Sequence, residues 1–347
     1  MHLLIRADAS TQIGTGHVMR CLALAQACLA EGGQAHFLMG SEGASLAQRI
    51  LYEGAQVSYG SAQGGSKADA EGAIALAKNL KADWVVVDGY HFGADYQKWL
   101  KDAGLKVLAI DDYGHASHYW ADVVLNQNIT ADEALYASRE PYTQLLLGTR
   151  YALLRKEFWP WRDWQRQIPP VATKVLVTLG GSDPDNVTLL VIQALQRVDV
   201  EGMEAIVVVG GSNPHYEQLE QAVNSSKTSI TLKQNVTNMP ELMVWADLAI
   251  TAGGSTCWET ALMKLPSLVI VIAENQRESA LKLAQLGLAL VIKPEDLAVE
   301  GKLCHSLSYF INLMGNSYAQ TSEGLRRLVD GYGSKHILDT LNDLIKI

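Results

Sequence analysis

Two doubly wound α/β domains are what this sequence predicts, and three observations carry the prediction. Short β-branched runs alternate with helical stretches along nearly the whole chain, the βαβ rhythm of a parallel sheet wrapped by helices. Runs such as Trp84-Val-Val-Val-Asp88 are apolar without alternation, as strands are when helices cover both faces. The rhythm breaks once, at Leu154–Pro170, and then restarts.

The first half offers strands at His2–Asp8, Ala35–Gly40, Gln56–Gly60, Asp83–Gly89, Lys106–Asp112 and Asp122–Asn128. Helical periodicity fills most gaps, at His17–Glu31, Ala44–Glu53, Lys67–Leu80 and Gly93–Ala103. The break, LRKEFWPWRDWQRQIPP, holds three of the eight tryptophans and ends on Pro169-Pro170. Consecutive prolines continue neither a helix nor a central strand, so the segment reads as a linker packing aromatics against both lobes, or as a surface loop capping one core. The second half offers strands at Lys174–Leu179, Glu204–Val209, Ile230–Gln234, Asp247–Thr251, Ser267–Ala273 and Ala289–Ile292. Its helices fall at Asn186–Arg197, His215–Asn224, Met239–Ala246, Ser255–Lys264, Gln276–Leu286 and Lys302–Met314. The expected domains are therefore 1–155, a linker over 156–172, and 173–333, with a cleft between them.

Composition removes several function classes. The 347 residues are 48% hydrophobic and 19% charged, ample for a core of this kind, and the formal net charge is −9. An acidic balance argues against a nucleic-acid or anionic-membrane surface. No apolar run approaches the roughly 20 residues that span a bilayer, and Arg6 and Asp8 interrupt any leader-like stretch at the start. Four cysteines without a CxxC pair fit a reducing compartment, so a cytoplasmic location is expected.

Three strand-to-helix turns carry glycines. In the first, Asp8-Ala-Ser-Thr-Gln-Ile-Gly14-Thr-Gly16-His17-Val-Met-Arg20, glycines let backbone N–H groups approach an anion at a helix start. It is neither a Walker A motif nor GxGxxG, and a plain tight turn explains the glycines equally well. His17 adds more: a helix N-terminus disfavours imidazolium, leaving a ring able to accept a proton near neutral pH. Asp8 either orients that ring or caps the loop. In the second, Gly253-Gly254-Ser255-Thr256-Cys257-Trp258-Glu259, the helix start suits a diphosphate, while Glu259 is either a dipole partner or a ribose ligand. The third, Gly180-Gly181-Ser182-Asp183-Pro184-Asp185-Asn186, is either another anion nest or a helix entry capped by Asp183 or Asp185. Polar strand ends at Asp88-Gly-Tyr90, Asp111-Asp112, Asn126-Gln-Asn128 and Glu274-Asn275-Gln276 gather where α/β sheets bind ligands. His115 and His118 lack a third metal ligand nearby, and no HExxH or GxSxG motif occurs.

Taken together, RADASTQIGTGHVMRCLALA, IDDYGHASHYWADVVLNQN, LLLGTRYALLRKEF, VTLGGSDPDN and ITAGGSTCWETALMKLPSLVIVIAENQ resemble the UDP-2,4-diacetamido-2,4,6-trideoxy-β-L-altropyranose hydrolases of pseudaminic acid biosynthesis. The likeness runs in order from about residue 3 to about residue 290. From Val236-Thr-Asn238 to Glu259 the chain also resembles the nucleotide-binding half of the peptidoglycan N-acetylglucosaminyltransferase. Both families have the GT-B fold, two Rossmann-like domains facing a cleft.

The resemblance implies hydrolysis of the C1–O bond of the UDP-linked sugar, with His17 as general base for water; Asp8, from its place at the strand end, is the expected catalytic partner that orients the ring. It implies a uracil site near Val236 and Asn238, the diphosphate at Gly254, Ser255 and Thr256, and the ribose on Glu259. Gly14, Gly16, Arg20, Asp88, Tyr90, Gly181, Ser182, Asn275 and Gln276 complete the expected substrate contacts. No metal or cofactor is implied. The partners are the UDP-sugar and UDP, with no nucleic acid and no membrane, in a monomer or weak homo-oligomer. By analogy with other GT-B proteins, the terminal helix over 334–347 packs back on the first domain. The alternatives are a glycosyltransferase of the same fold, a hydrolase of a related nucleotide sugar, and a non-catalytic UDP-sugar binding module.

Overall fold

The structure, a computed structural model, describes every residue except 11, 12, 41–43, 182, 212, 300, 313, 314 and 347, and gives backbone alone at 44, 45 and 315–317. The chain divides into two compact units, one made of Met1–Lys156 with Gly331–Ile347, the other of Glu157–Asp330. No helix among the described residues is long and apolar enough to cross a membrane.

The first unit runs β1 (His2–Ala7), α1 (Gly16–Ala30), β2 (Gln34–Gly40), α2 (Ala44–Tyr52), β3 (Gln56–Gly60), α3 (Lys67–Leu80), β4 (Trp84–Asp88), α4 (Ala94–Asp102), β5 (Val107–Ile110), β6 (Val123–Asn126) and β7 (Gln144–Leu147). All seven strands are parallel, in the order β3-β2-β1-β4-β5-β6-β7. β4, β5 and β6 are buried along their whole length, which is why their sequences show no alternation. The strand order reverses between β1 and β4, where Ala7 pairs with Asp88. In open α/β sheets the loops leaving the carboxyl ends on either side of such a reversal line the ligand crevice.

The second unit runs β8 (Lys174–Thr178), α5 (Val187–Leu195), β9 (Glu204–Val209), α6 (Tyr216–Asn224), β10 (Ser229–Gln234), α7 (Met239–Trp245), β11 (Leu248–Ala252), α8 (Thr256–Leu262), β12 (Ser267–Ile270), α9 (Arg277–Gln285), β13 (Ala289–Ile292), α10 (Pro294–Leu297), α11 (Lys302–Ile311) and α12 (Gly315–Leu325). Its sheet is also parallel, ordered β10-β9-β8-β11-β12-β13, with its reversal between β8 and β11.

The aromatic break is not a free-standing linker, because residues 157–172 group with the second unit. Arg166 explains the attachment. Its guanidinium donates to the carbonyls of Met243 (2.5 Å), Ala246 (2.6 Å) and Met263 (3.0 Å), at the C-terminal ends of α7 and α8. Those are orphan carbonyls at the negative end of a helix, the natural place for a cation.

The last helix, α13 (Gly333–Ile345), belongs to the first unit. It buries Ile337, Leu338 and Leu341, and Lys106 Nζ donates to the carbonyl of Leu344. A Cβ at Gly333 would stand 2.2 Å from the carbonyl oxygen of Ala152, so only glycine permits this approach.

Candidate active site

The first turn of α1 follows β1 across the sheet reversal. Gly14 takes φ +72°, and its N–H donates to the carbonyl of Ser10 (2.9 Å), folding the loop back on itself ahead of the helix. Gly16 opens α1 with open space where a side chain would stand. Thr15, the N-cap, makes no capping bond with its side chain. His17 and Arg20, three residues apart, project from one helix face toward the carboxyl ends of β4, β5 and β6.

There they meet a buried network. Asp88, the last residue of β4 and fully buried, faces His17 with Oδ1 2.6 Å from Nδ1. The same carboxylate accepts both Arg20 Nε on Oδ2 and Arg20 Nη2 on Oδ1, each at 2.7 Å, a bidentate fork. Arg20 Nη1 donates to Asp112 Oδ1 (2.7 Å), which also accepts from Asn128 Nδ2 (2.8 Å), while Asp112 Oδ2 accepts the Tyr90 hydroxyl (2.7 Å). Asn126 Nδ2 donates to the Asp112 carbonyl (3.0 Å). The Tyr90 ring meets the His17 ring edge-on, centroids 5.1 Å apart.

Burial opposes every charge here, and pairing wins. It pushes the Asp88 carboxyl up, but the Arg20 guanidinium and the His17 ring more than offset it, holding Asp88 below the usual carboxylate range. For Asp112 the same burial is overcome by Arg20 and the Tyr90 hydroxyl, and its pKa is lowered. Arg20 is raised, since its two carboxylates outweigh its burial. Burial, then the Asp88 charge, raises the Cys21 thiol, which donates to Asp88 at 3.3 Å and stays protonated. Arg20 Nη2 also lies 3.2 Å from His17 Nδ1, but the shorter contact to the ionised Asp88 favours, for a neutral ring, the tautomer with its hydrogen on Nδ1 and its lone pair on Nε2. Nε2 has no protein partner among the described residues. An imidazole so held is built to accept a proton.

Asp8 does not reach this pair. Its Oδ1 accepts from Arg6 Nη1 (2.6 Å) and the Gly40 N–H (2.7 Å), and Oδ2 sits 3.1 Å from His91 Nε2. Burial raises the Asp8 carboxyl, and His91, Arg6 and the Gly40 N–H bring it well below its ordinary value. The physical reason is position. Asp8 lies past the end of β1 and turns toward β2, whereas Asp88 ends the neighbouring strand on the α1 side. The carboxylate that orients His17 is thus Asp88, expected as a sugar contact. Its signal lay in Arg20, whose i,i+3 spacing from His17 requires a buried anion on that helix face. His115 and His118 go elsewhere, to Asp111 Oδ1 (3.1 Å) and to Glu140 Oε1 (3.2 Å).

In the second unit, two glycine turns flank the reversal. After β8, Gly180 has φ +97° and the Gly181 carbonyl packs so close to Gly210 that a Cβ there would be 2.3 Å away. Ser182 lies outside the described residues. Asp183 accepts the N–H of Val187 (2.9 Å) and of Thr188 (2.8 Å), so the anion at the start of α5 is the protein's own. The turn after β11 is different. Ser255, the N-cap of α8, makes no capping bond with its side chain, and Gly254, Ser255 and Thr256 are part-exposed. Gln276 lies over this turn with Oε1 accepting from Gly253 N and Ile272 N, both at 3.2 Å. Its carbonyl therefore ties the ends of β11 and β12 together. Glu259 is buried in the first turn of α8; burial and then its charge push the Cys257 thiol up to about 12. Val236 is half-buried, and Asn238, at the N-cap of α7, and Asn275 are exposed.

Residues 175–323 match the glycosyltransferase family 28 C-terminal domain. The chain is 28% identical to the UDP-2,4-diacetamido-2,4,6-trideoxy-beta-L-altropyranose hydrolase of Campylobacter jejuni over 296 residues, covering 83% of this chain and 97% of that one. It is also 28% identical over 284 residues to the uncharacterized protein MJ1062 of Methanocaldococcus jannaschii, covering 80% of this chain but only 57% of that longer protein. The crystal structure of Acinetobacter baumannii MurG superposes with a TM-score of 0.66 over 99% of both chains at 17% identity, which shows a shared fold. The chain is thus similar in sequence to the Campylobacter hydrolase over most of its length and has the GT-B fold.

Proposed function

We propose that this protein hydrolyses the glycosidic C1–O bond of UDP-2,4-diacetamido-2,4,6-trideoxy-β-L-altropyranose, releasing UDP and the free sugar. The observation that carries the proposal is the His17–Asp88 pair, with Nδ1 fixed and Nε2 unengaged by the protein. The name of the Campylobacter relative supplies the substrate, and the family 28 match over 175–323 supports a nucleotide site in the second unit. Nε2 takes a proton from water as the water oxygen bonds to C1. The C1–O electron pair leaves with UDP, a good leaving group that needs little acid help. The pair carries a single negative charge, on Asp88, until the proton arrives, and Asp88 then stabilises the imidazolium. In the second unit the α8 start at Gly254, Ser255 and Thr256 takes the diphosphate, Glu259 the ribose, and the backbone at Val236–Asn238 the uracil.

Inversion at C1 follows from how the carboxylates are used. Asp88 and Asp112, the two beside His17, are both bound to Arg20, so neither serves as a nucleophile. The test is UDP release with no acceptor present, in EDTA, for wild type and His17→Ala. Release by wild type that His17→Ala lowers by a hundredfold or more is expected. Release that His17→Ala leaves unchanged removes His17 from the mechanism, and a product of retained configuration by NMR removes inversion. The family 28 match keeps one rival, transfer of the sugar to an acceptor. That rival predicts no release until an acceptor is added.

A further inference from the structure

Two ring contacts from the candidate base stands an aromatic side chain on a tied-down turn, left in solvent. The turn after β5 is locked by Asp111, fully buried, whose carboxylate accepts the N–H of Asp112 (2.5 Å), of Tyr113 (3.1 Å) and of Gly114 (3.1 Å). The same carboxylate takes the Tyr119 hydroxyl and pairs with His115. Gly114 has φ +76°, and a Cβ there would stand 2.8 Å from the Leu135 carbonyl oxygen, so the turn has no room to relax. Yet the residue this turn presents, Tyr113, is 46% exposed, and its hydroxyl bonds to nothing among the described residues. Its ring lies 5.1 Å from Tyr90, tilted 49°, and Tyr90 in turn meets His17 at 5.1 Å. A lone exposed aromatic is ordinary. An exposed aromatic joined to His17 through Tyr90 by an edge-on and a tilted ring contact, and touching His115 as well, on a turn fixed by one buried carboxylate, is a prepared contact surface.

We propose that Tyr113 is the platform on which the sugar lays its apolar side, and that it selects a methyl over a hydroxymethyl group at C6. This rests on the proposed hydrolysis at His17. The Tyr113 ring is no more than about 10 Å from the His17 ring, being two ring contacts away. The base-to-water bond and the water-to-C1 approach each take about 3 Å of that span. The platform therefore meets the part of the pyranose beyond C1, where a 6-deoxy sugar offers C–H groups. A hydroxyl placed on the ring face would lose water and gain no partner, which is worth up to about a hundredfold in discrimination.

The experiment compares kcat/KM for UDP release from the 6-deoxy substrate and its 6-hydroxy counterpart in wild type, Tyr113→Phe and Tyr113→Ala. A wild-type preference of about tenfold or more is expected, kept by Tyr113→Phe and reduced to within about twofold by Tyr113→Ala, mainly through KM. An unchanged ratio in Tyr113→Ala, or an equal fall in kcat for both sugars, overturns the platform. A second measurement does not depend on turnover. Saturation-transfer NMR in the His17→Ala protein is expected to mark the C6 methyl strongly, and to lose that signal, but not the uridine signal, when Tyr113→Ala is added. Methyl contact without wild-type UDP release refutes the hydrolysis and leaves the platform standing. Absence of methyl contact refutes the platform whatever the turnover.

Discussion

Asp88 carries two duties that its charge must satisfy at once: it holds the His17 tautomer and it receives the Arg20 fork. Asp88→Asn keeps the shape but offers an amide N–H to Nδ1, favouring the tautomer with its hydrogen on Nε2. A loss of about 10³–10⁴ in kcat with KM little changed is expected in steady-state assays. A loss under tenfold would separate Asp88 from the base. The depressed carboxylates also set an acid limit on stability. Asp8, Asp88 and Asp112 all have folded pKa values below their unfolded ones. Their stabilisation is fully present above about pH 4, the unfolded value, and is lost as pH falls below it. Urea midpoints from pH 6 to pH 3 should drop steeply in wild type and less steeply in Asp8→Asn. At this scale His17 and its glycines were legible, because the signal is local: a strand, a Gly-rich turn and a helix start within a dozen residues. The identity of its partner was not, because Asp8 is near in sequence while Asp88 is near in space, and only the pairing of Ala7 with Asp88 brings the latter in.

Elements were legible wherever burial was complete. The continuous apolar runs of β4, β8 and β11 announce parallel strands, and twelve of the strands fall where the pattern puts them, to within two or three residues at each end. β7 was not anticipated. Gln144–Leu147 is short, half-buried and preceded by a long irregular stretch, so its period is too brief to read. Nor were α10 and α12, one a single turn begun by Pro294, the other a helix containing Gly324. The third glycine turn shows how one residue decides an element's use. Asp183 spends the α5 start on its own carboxylate, while at the α8 start the N-cap Ser255 makes no capping bond with its side chain. Arg166 is the other element-scale control. Arg166→Met leaves three helix-end carbonyls without their donor and should destabilise the second unit by about 2–3 kcal/mol in urea unfolding. A change under 0.5 kcal/mol would mean that water replaces the guanidinium without cost.

On the scale of the whole chain, the first unit is discontinuous: residues 331–347 come back to complete what 1–156 begin. α13 buries three large aliphatic side chains against it, an area worth roughly 5 kcal/mol as an upper-range figure. A chain ending at Asp330 is expected to lose amide protection in β1 and α1 while β8 and β11 stay protected by hydrogen exchange. Gly333→Ala should act in the same direction through its clash with Ala152. Domains assemble in the order in which the ribosome delivers them, and here the delivery is out of step with the architecture. The second unit is contiguous and has all its parts while the last helix is still inside the exit tunnel. The first unit, with the candidate base, waits for residues 331–347, so a growing polypeptide holds an unfinished apolar seam beside α1 until they emerge.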